Sequence, residues 1–136
     1  MFVFLDASAL IYLIEGAAPL AAQTRQRLTR LQAAHGRLRI AVSRLTWLEC
    51  RVGPLKAGNA ALLTDYDAFF AQPDLLTVEL TAQVVELATA IRARHGLKTP
   101  DALQAACCLQ LGAAHAFVTG DAAFAKVLGL KVERVG

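Results

Sequence analysis

Four acidic residues stand close to the ends of predicted strands and helices: Asp6, Glu49, Asp101 and Asp121. Asp6 follows a short apolar run and Asp121 follows another, so each lies at the carboxyl end of a predicted strand. In open α/β sheets, ligands bind at that edge of the sheet. The other two acids fall on predicted helices, which we expect to border the same edge. The sequence therefore predicts four carboxylates around one small volume.

Carboxylates gathered so closely cannot all ionise without compensation, and some of their pKa values are expected to rise. A divalent cation removes the repulsion, and an all-oxygen ligand set selects Mg²⁺ or Mn²⁺ over zinc. No histidine or cysteine group with zinc-binding spacing competes in the sequence. A metal ion held in this way polarises a phosphoryl oxygen, activates water and neutralises the leaving oxygen. The chemistry indicated is metal-assisted hydrolysis of a phosphodiester.

Two hydroxyl side chains and one glycine flank the acids at the strand ends. Ser8 and Thr119 are predicted to orient water or a ligand carboxylate, although helix capping explains Ser8 equally well. Gly120 would let the backbone approach a ligand closely, or it serves only the turn. The acids have structural explanations as well: Asp6 is a favoured helix cap, acids are stabilising at helix N-termini, and Glu49 can be a solvated helix residue. Spacing alone leaves these alternatives open.

Strands and helices alternate along the whole chain. Strands are predicted over residues 1–6, 38–43, 75–80, 116–119 and 130–135, and helices over 8–15, 19–35, 44–52, 59–71, 81–95, 99–112 and 122–128. Gly53 and Pro54 are expected to break or bend the third helix. Thr99 is expected to cap the sixth helix, with Pro100 at its first position. The alternation is typical of a parallel sheet with helices on both faces, built as one domain over residues 1–136.

The composition is that of an apolar domain without a membrane segment. Apolar residues make up 56% of the chain and charged residues 18%. No apolar stretch reaches the roughly 18 residues that span a bilayer, and the amino terminus lacks the basic start of a signal peptide. We therefore expect a cytoplasmic protein with no membrane contact. The three cysteines, Cys50, Cys107 and Cys108, are expected to be buried core residues.

The net charge of +3 combines a basic sector with an acidic one. Residues 21–56 hold eight arginines and lysines against one acid, whereas residues 57–91 hold five acids and no arginine or lysine. A basic sector suits a polyanionic partner, although a solvated helix face explains the same charges more simply. The high apolar content also points to an exposed apolar surface, and hence to a protein partner.

Four stretches of the sequence resemble the PIN-domain nucleases, and most of all the toxins of VapBC toxin–antitoxin pairs. They are residues 4–13 (FLDASALIYL), 43–51 (SRLTWLECR), 99–106 (TPDALQAA) and 117–124 (FVTGDAAF). The resemblance covers nearly the whole chain and implies a three-layer α/β/α sandwich around a mainly parallel five-stranded sheet. It also implies Mg²⁺- or Mn²⁺-dependent endoribonuclease activity, a homodimer, and inhibition by a cognate antitoxin whose segment lies across the active-site groove.

The resemblance assigns the family's acidic positions to the four acids described above and its helper hydroxyl to Thr119. Asp6 and Asp101 are then the main ligands of the metal ion, directly or through water. Glu49 and Asp121 complete the site and position the attacking water. In the family the last of these acids, here Asp121, is the least uniform position.

One position departs from the family pattern, and two arginines are added to the predicted site. The family often has asparagine before its last acid, where this chain has Gly120. This departure concerns a polar contact and not the metal site. Arg44 and Arg51, close to Glu49 in the sequence, are predicted to meet RNA phosphates.

Three other interpretations stay open at this point. The chain can be a catalytically silent PIN-like module that only binds RNA or protein. It can be a nuclease that acts on DNA, because the metal chemistry is the same for both polymers. It can also be a phosphatase with an aspartyl nucleophile, although such an enzyme would usually have a second aspartate where Ser8 stands.

Overall fold

The structure is a computed structural model that describes residues 1–112 and 114–136. The elements are, in chain order, β1 Phe2–Leu5, α1 Ala7–Glu15, α2 Leu20–His35, β2 Arg39–Ser43, α3 Arg44–Ala57, α4 Ala60–Phe70, β3 Leu76–Val78, α5 Ala82–His95, α6 Thr99–Gln110, β4 His115–Thr119, a 3₁₀-helix Ala122–Lys126, and β5 Val132–Arg134. They follow the predicted alternation, with most strands shorter than predicted. No helix in the described part of the chain is long and apolar enough to cross a bilayer.

The strands form one sheet in the order β3-β2-β1-β4-β5, and every pairing is parallel. In the middle strand, Phe4 pairs with Ala41 on β2 and with Phe117 on β4. The carboxyl end of β1 therefore lies between the carboxyl ends of two parallel neighbours. The predicted five-stranded, mainly parallel sheet is confirmed, and it places Asp6 at the centre of the edge where its strand ends.

Side chains alternate across the sheet and divide the core into two layers. Val3 and Leu5 pack with residues of α1 to α4, whereas Phe4 and Phe117 pack with residues of α5, α6 and the 3₁₀-helix. Both faces of the sheet are thus covered by helices, as continuous apolar strands require. The predicted three-layer α/β/α sandwich is confirmed. The three cysteines are free and buried, as predicted.

The predicted end of α3 is wrong. The helix does not stop before Gly53 but continues through Pro54 to Ala57. A proline inside a helix costs roughly 3 kcal/mol because it removes a backbone donor and crowds the preceding turn. Pro54 is buried, and α3 packs on both α1 and α4, so tertiary packing offsets that cost.

The predicted cap of α6 is also wrong. Thr99 is the first helical residue, and no side chain caps this helix. The helix begins one residue early because the Lys98 carbonyl already accepts a hydrogen bond from the Ala102 N–H at 2.9 Å. Asp101 consequently lies in the first turn of α6, where a negative charge is favourable near the unpaired N–H groups.

Candidate active site

Asp6 ends β1 almost fully buried, with 5% of its surface exposed. It is the N-cap of α1, and its Oδ1 accepts hydrogen bonds from the Ala9 N–H at 3.0 Å and the Ser8 hydroxyl at 2.6 Å. Its Oδ2 accepts a hydrogen bond from the Thr119 hydroxyl at 2.5 Å. Asp6 therefore does cap the helix, but its carboxylate also has two side-chain donors that a cap does not need.

The segment that follows β4 is bonded to the start of α1. The Gly120 N–H donates to Ser8 Oγ at 3.0 Å, and the Asp121 N–H donates to Thr119 Oγ1 at 3.0 Å. The exposed Asp121 carboxylate accepts a hydrogen bond from the Ala123 N–H at 2.8 Å and caps the 3₁₀-helix. The two predicted supporting hydroxyls thus link the ends of β1 and β4 in one hydrogen-bonded network.

Gly120 has a packing role that the sequence did not reveal. Its backbone is outside the left-handed region, so the turn itself does not require glycine. A Cβ atom at this position would lie 2.2 Å from the Tyr12 hydroxyl oxygen and 2.9 Å from Cε2 of the ring. Gly120 therefore makes room for Tyr12. The signal in the sequence is the spacing of Tyr12 four residues after Ser8, which puts both side chains on one face of α1.

Glu49 is half-buried on α3 and is held by a glutamine from α6. The Nε2 of Gln104 donates to Glu49 Oε1 at 2.8 Å and to Thr46 Oγ1 at 2.8 Å. Gln104 is only 2% exposed, and it lies one turn after Asp101 on the same helix. Glu49 is therefore not a solvated helix residue. Sequence reasoning missed Gln104, although a polar residue three positions after an acid stands out in this alanine-rich helix.

Burial raises the pKa values of Asp6, Glu49 and Asp101, and repulsion from neighbouring acids raises them further. For Asp6, burial raises the pKa, its three hydrogen-bond donors oppose the rise, and the charge of Asp121 adds to it. For Asp101, burial again raises the pKa, and so do the charges of Asp121 and Asp6. Burial also raises the pKa of Glu49 against the hydrogen bond from Gln104. The charges of Asp101 and Asp6 raise it further. The structure thus brings the four acids within electrostatic reach of one another.

The four acids are not arranged as a closed metal cage. Across residues 1–112 and 114–136, no three His, Cys, Asp or Glu side chains come close enough to hold an ion by themselves. Mg²⁺, however, keeps several of its waters and commonly uses one or two carboxylates together with a substrate phosphate. The donor set fits such an ion, because it is all oxygen and carries raised carboxyl pKa values that a nearby cation would lower. The roles of the four acids as metal ligands stay predictions.

The two arginines predicted to meet RNA are each held by an acid. Arg44 donates from Nε to Glu79 Oε1 at 2.9 Å and from Nη2 to Glu79 Oε2 at 2.6 Å, and its guanidinium lies 4.1 Å from the centre of the Trp47 ring. Arg51 Nε lies 3.3 Å from Asp67 Oδ1. The arginine side chains are 40% and 42% exposed and their acidic partners 57% and 53%, so water screens both ion pairs, and a phosphate can compete for the exposed part of each guanidinium group.

Comparisons with known proteins agree with this fold. Residues 3–130 match the sequence model of the PIN domain, whereas a search of curated proteins finds no match. Among solved structures, VapBC2 from Rickettsia felis, bound to a DNA fragment from its promoter, is similar with a TM-score of 0.78 at 18% identity, over 100% of both chains. A toxin–antitoxin complex from Klebsiella pneumoniae has a TM-score of 0.70 at 22% identity, over 94% of each chain. VapC20 from Mycobacterium tuberculosis, a toxin that cleaves the sarcin–ricin loop, has a TM-score of 0.70 at 16% identity, over 95% of this chain and 98% of that one.

Proposed function

The chain belongs to the PIN domain family, and from that premise we propose that it is a metal-dependent endoribonuclease and the toxin of a type II toxin–antitoxin pair. One observation carries the proposal above all. The buried Asp6 carboxylate sits at the centre of the sheet edge, fixed by two hydroxyl groups, and three further carboxylates lie within electrostatic reach. Burying an acid there is costly without a positive partner, and a bound divalent cation is that partner.

In this proposal Asp6 and Asp101 are the main ligands of Mg²⁺ or Mn²⁺. When bound, the metal ion supplies polarisation of the phosphoryl oxygen and activation of water. Glu49 and Asp121 complete the site and hold the water that attacks phosphorus. Gln104 donates a 2.8 Å hydrogen bond to the Glu49 carboxylate. This bond keeps the carboxylate oriented before the substrate binds.

The proposed partners are an RNA substrate, a cognate antitoxin and a second copy of the chain. The similar solved structures include VapBC2 and a toxin–antitoxin complex, and another is a toxin that cleaves the sarcin–ricin loop. On α3, Leu48, Val52 and Leu55 are 62%, 52% and 68% exposed, and their spacing forms an apolar stripe along one side of the helix. Because Glu49 stands on the same helix, a protein segment that covers this stripe would lie next to the active site.

The decisive experiment incubates the purified protein with total cellular RNA in Mn²⁺, in Mg²⁺ and in EDTA. Asp101→Asn is run beside the wild type, and Asp74→Asn serves as the matched control because Asp74 is an exposed acid in the turn at the amino end of β3, the opposite edge of the sheet. We expect discrete fragments in the metal lanes from the wild type and the control, and none from Asp101→Asn. Cleavage by Asp101→Asn at the wild-type rate would refute the assignment.

The same experiment separates the alternatives. RNA binding without metal-dependent cleavage would identify a silent binding module. Equal cleavage of single-stranded DNA would make the enzyme a general nuclease. For the toxin role, expression of the wild type should arrest growth, expression of Asp101→Asn should not, and the product of a neighbouring small reading frame should co-purify with both proteins and relieve the arrest.

A further inference from the structure

We propose that Tyr12 is a substrate-binding residue of this site, whose hydroxyl donates a hydrogen bond to a phosphate oxygen of the bound RNA strand. The inference rests on the proposed endoribonuclease function and adds to it a residue outside the four acids. It follows from the position of the Tyr12 ring on α1 and from the absence of a hydrogen-bond donor for phosphate among the four acids.

Tyr12 is fixed beside the acids by its packing against Gly120. Ser8 and Tyr12 lie one turn apart on the same face of α1, and both touch this glycine. Ser8 Oγ accepts the Gly120 N–H at 3.0 Å and donates to Asp6 at 2.6 Å. The Tyr12 hydroxyl fills the space that a side chain at position 120 would need. A Cβ atom on Gly120 would lie only 2.2 Å from the Tyr12 hydroxyl oxygen. The hydroxyl therefore lies next to the residue that immediately precedes Asp121.

The Tyr12 hydroxyl is available to a ligand. The ring is half-buried among the side chains of the core layer beside α1, but no residue in 1–112 or 114–136 forms a hydrogen bond with its hydroxyl. The other tyrosine differs, because the Tyr66 hydroxyl donates to Glu15 Oε2 at 2.6 Å. A phenol hydroxyl at a polar site normally has a partner, and where the protein offers none, water or a ligand takes that place.

A phosphate oxygen is the partner that the site chemistry favours. Ionised carboxylates only accept hydrogen bonds, so the four acids offer a phosphate no donor and repel its charge. The Tyr12 hydroxyl adds a donor without adding a positive charge that would compete with a metal ion for the acids. A hydrogen bond to a charged acceptor is also stronger than one between neutral groups.

The test measures RNA affinity and cleavage with variants that leave the ring in place. Tyr12→Phe removes only the hydroxyl, and Tyr66→Phe is the matched control because it removes a hydroxyl that is bonded inside the protein. A fluorescein-labelled single-stranded RNA of mixed sequence is titrated in Ca²⁺ and followed by fluorescence anisotropy. We expect Tyr12→Phe to raise both Kd and KM about ten-fold with kcat within about two-fold of the wild type. Tyr66→Phe should leave Kd and KM unchanged.

Gly120→Ala provides a second, independent perturbation. Its Cβ atom cannot coexist with the Tyr12 hydroxyl at 2.2 Å, so the ring must move and RNA affinity should fall as in Tyr12→Phe. Combining the two substitutions should cost no more affinity than the worse single change, because both remove the same contact. Circular dichroism melting curves for each variant establish that the protein is folded.

Each outcome decides the question. Wild-type affinity in a folded Tyr12→Phe variant would refute the role of Tyr12 and leave the endoribonuclease proposal intact. Equal losses in Tyr12→Phe and Tyr66→Phe would also refute it, because the effect would then be structural. A wild-type protein that neither binds nor cleaves RNA would overturn the proposed function, and the role of Tyr12 with it.

Discussion

Asp101→Asn should change the stability of the protein in opposite directions with and without metal. The carboxylate at position 101 is partly buried and repelled by Asp121 and Asp6, which together raise its pKa. At pH 7 and without metal, ionising this group therefore costs the folded state free energy that the unfolded chain does not lose. The neutral amide removes that cost at nearly constant volume. The metal-free variant is consequently expected to melt at or above the temperature of the wild type.

With metal the order should reverse. A ligand at 100 times its Kd stabilises the folded state by about 2.7 kcal/mol. Unfolding 136 residues at roughly 2.1 cal/mol/K per residue has an entropy of about 0.29 kcal/mol/K, so the wild-type Tm should rise by about 9 °C. If the loss of one ligand weakens binding about 100-fold, the same metal concentration contributes only about 0.4 kcal/mol, which is about 1 °C.

The assay is a pair of calorimetric melts for each protein, in EDTA and in Mn²⁺. Asp74→Asn is again the control and should follow the wild type in both buffers. A rise in the Tm of Asp101→Asn equal to that of the wild type would mean that Asp101 does not bind the metal ion. A metal-free Tm several degrees below that of the wild type would mean that burial of the Asp101 carboxylate and its repulsion by Asp121 and Asp6 do not cost the folded state free energy.

Three further predictions follow from the same geometry. Without metal, the raised pKa values of Asp6, Glu49 and Asp101 mean that these three groups keep their protons to higher pH in the folded state than in the unfolded chain. The Tm of the wild type should therefore fall relative to Asp101→Asn as the pH rises to 7, and a gap that stays constant would contradict this. Gln104→Leu should cut cleavage about ten-fold because Glu49 loses its donor, while the melting curve stays cooperative; wild-type activity would show that this donor is not needed. Arg44→Gln should weaken RNA binding and reduce its salt dependence by about one counterion, and Glu79→Gln should strengthen binding; unchanged affinity in both would remove Arg44 from the RNA surface.

The sheet and its central acid could be predicted because both follow from local patterns. An apolar run too short for a helix, followed by one carboxylate, is enough to place Asp6 at a strand end. The parallel edge rule then brings Asp121 beside it. The predicted end of α3 failed for a related reason. A propensity rule describes what Pro54 costs an isolated helix, whereas the tertiary packing that offsets this cost is invisible from the neighbouring residues.

The rest of the site depends on contacts between residues distant in the sequence. Gln104 meets Glu49 across a separation of 55 residues, and Arg44 meets Glu79 across 35. Neither contact follows from the periodicity of one helix, because each depends on how two elements are packed against the sheet. Tyr12 is the clearest case. Its hydroxyl fills the space that a side chain at position 120 would take, and only the assembled structure shows that Tyr12 and Gly120 are neighbours.

The hydrogen bond from Thr119 to Asp6 forms late when the chain folds during translation. It joins residues 113 positions apart, and β1 pairs with β4 over the same long interval. On a ribosome, β1 and Asp6 therefore emerge long before the strand that completes them. Until β4 has emerged, Asp6 lacks the Thr119 donor and the central strand lacks one of its neighbours. The nascent chain thus acquires its complete carboxylate site only after His115–Thr119 has emerged and paired with β1.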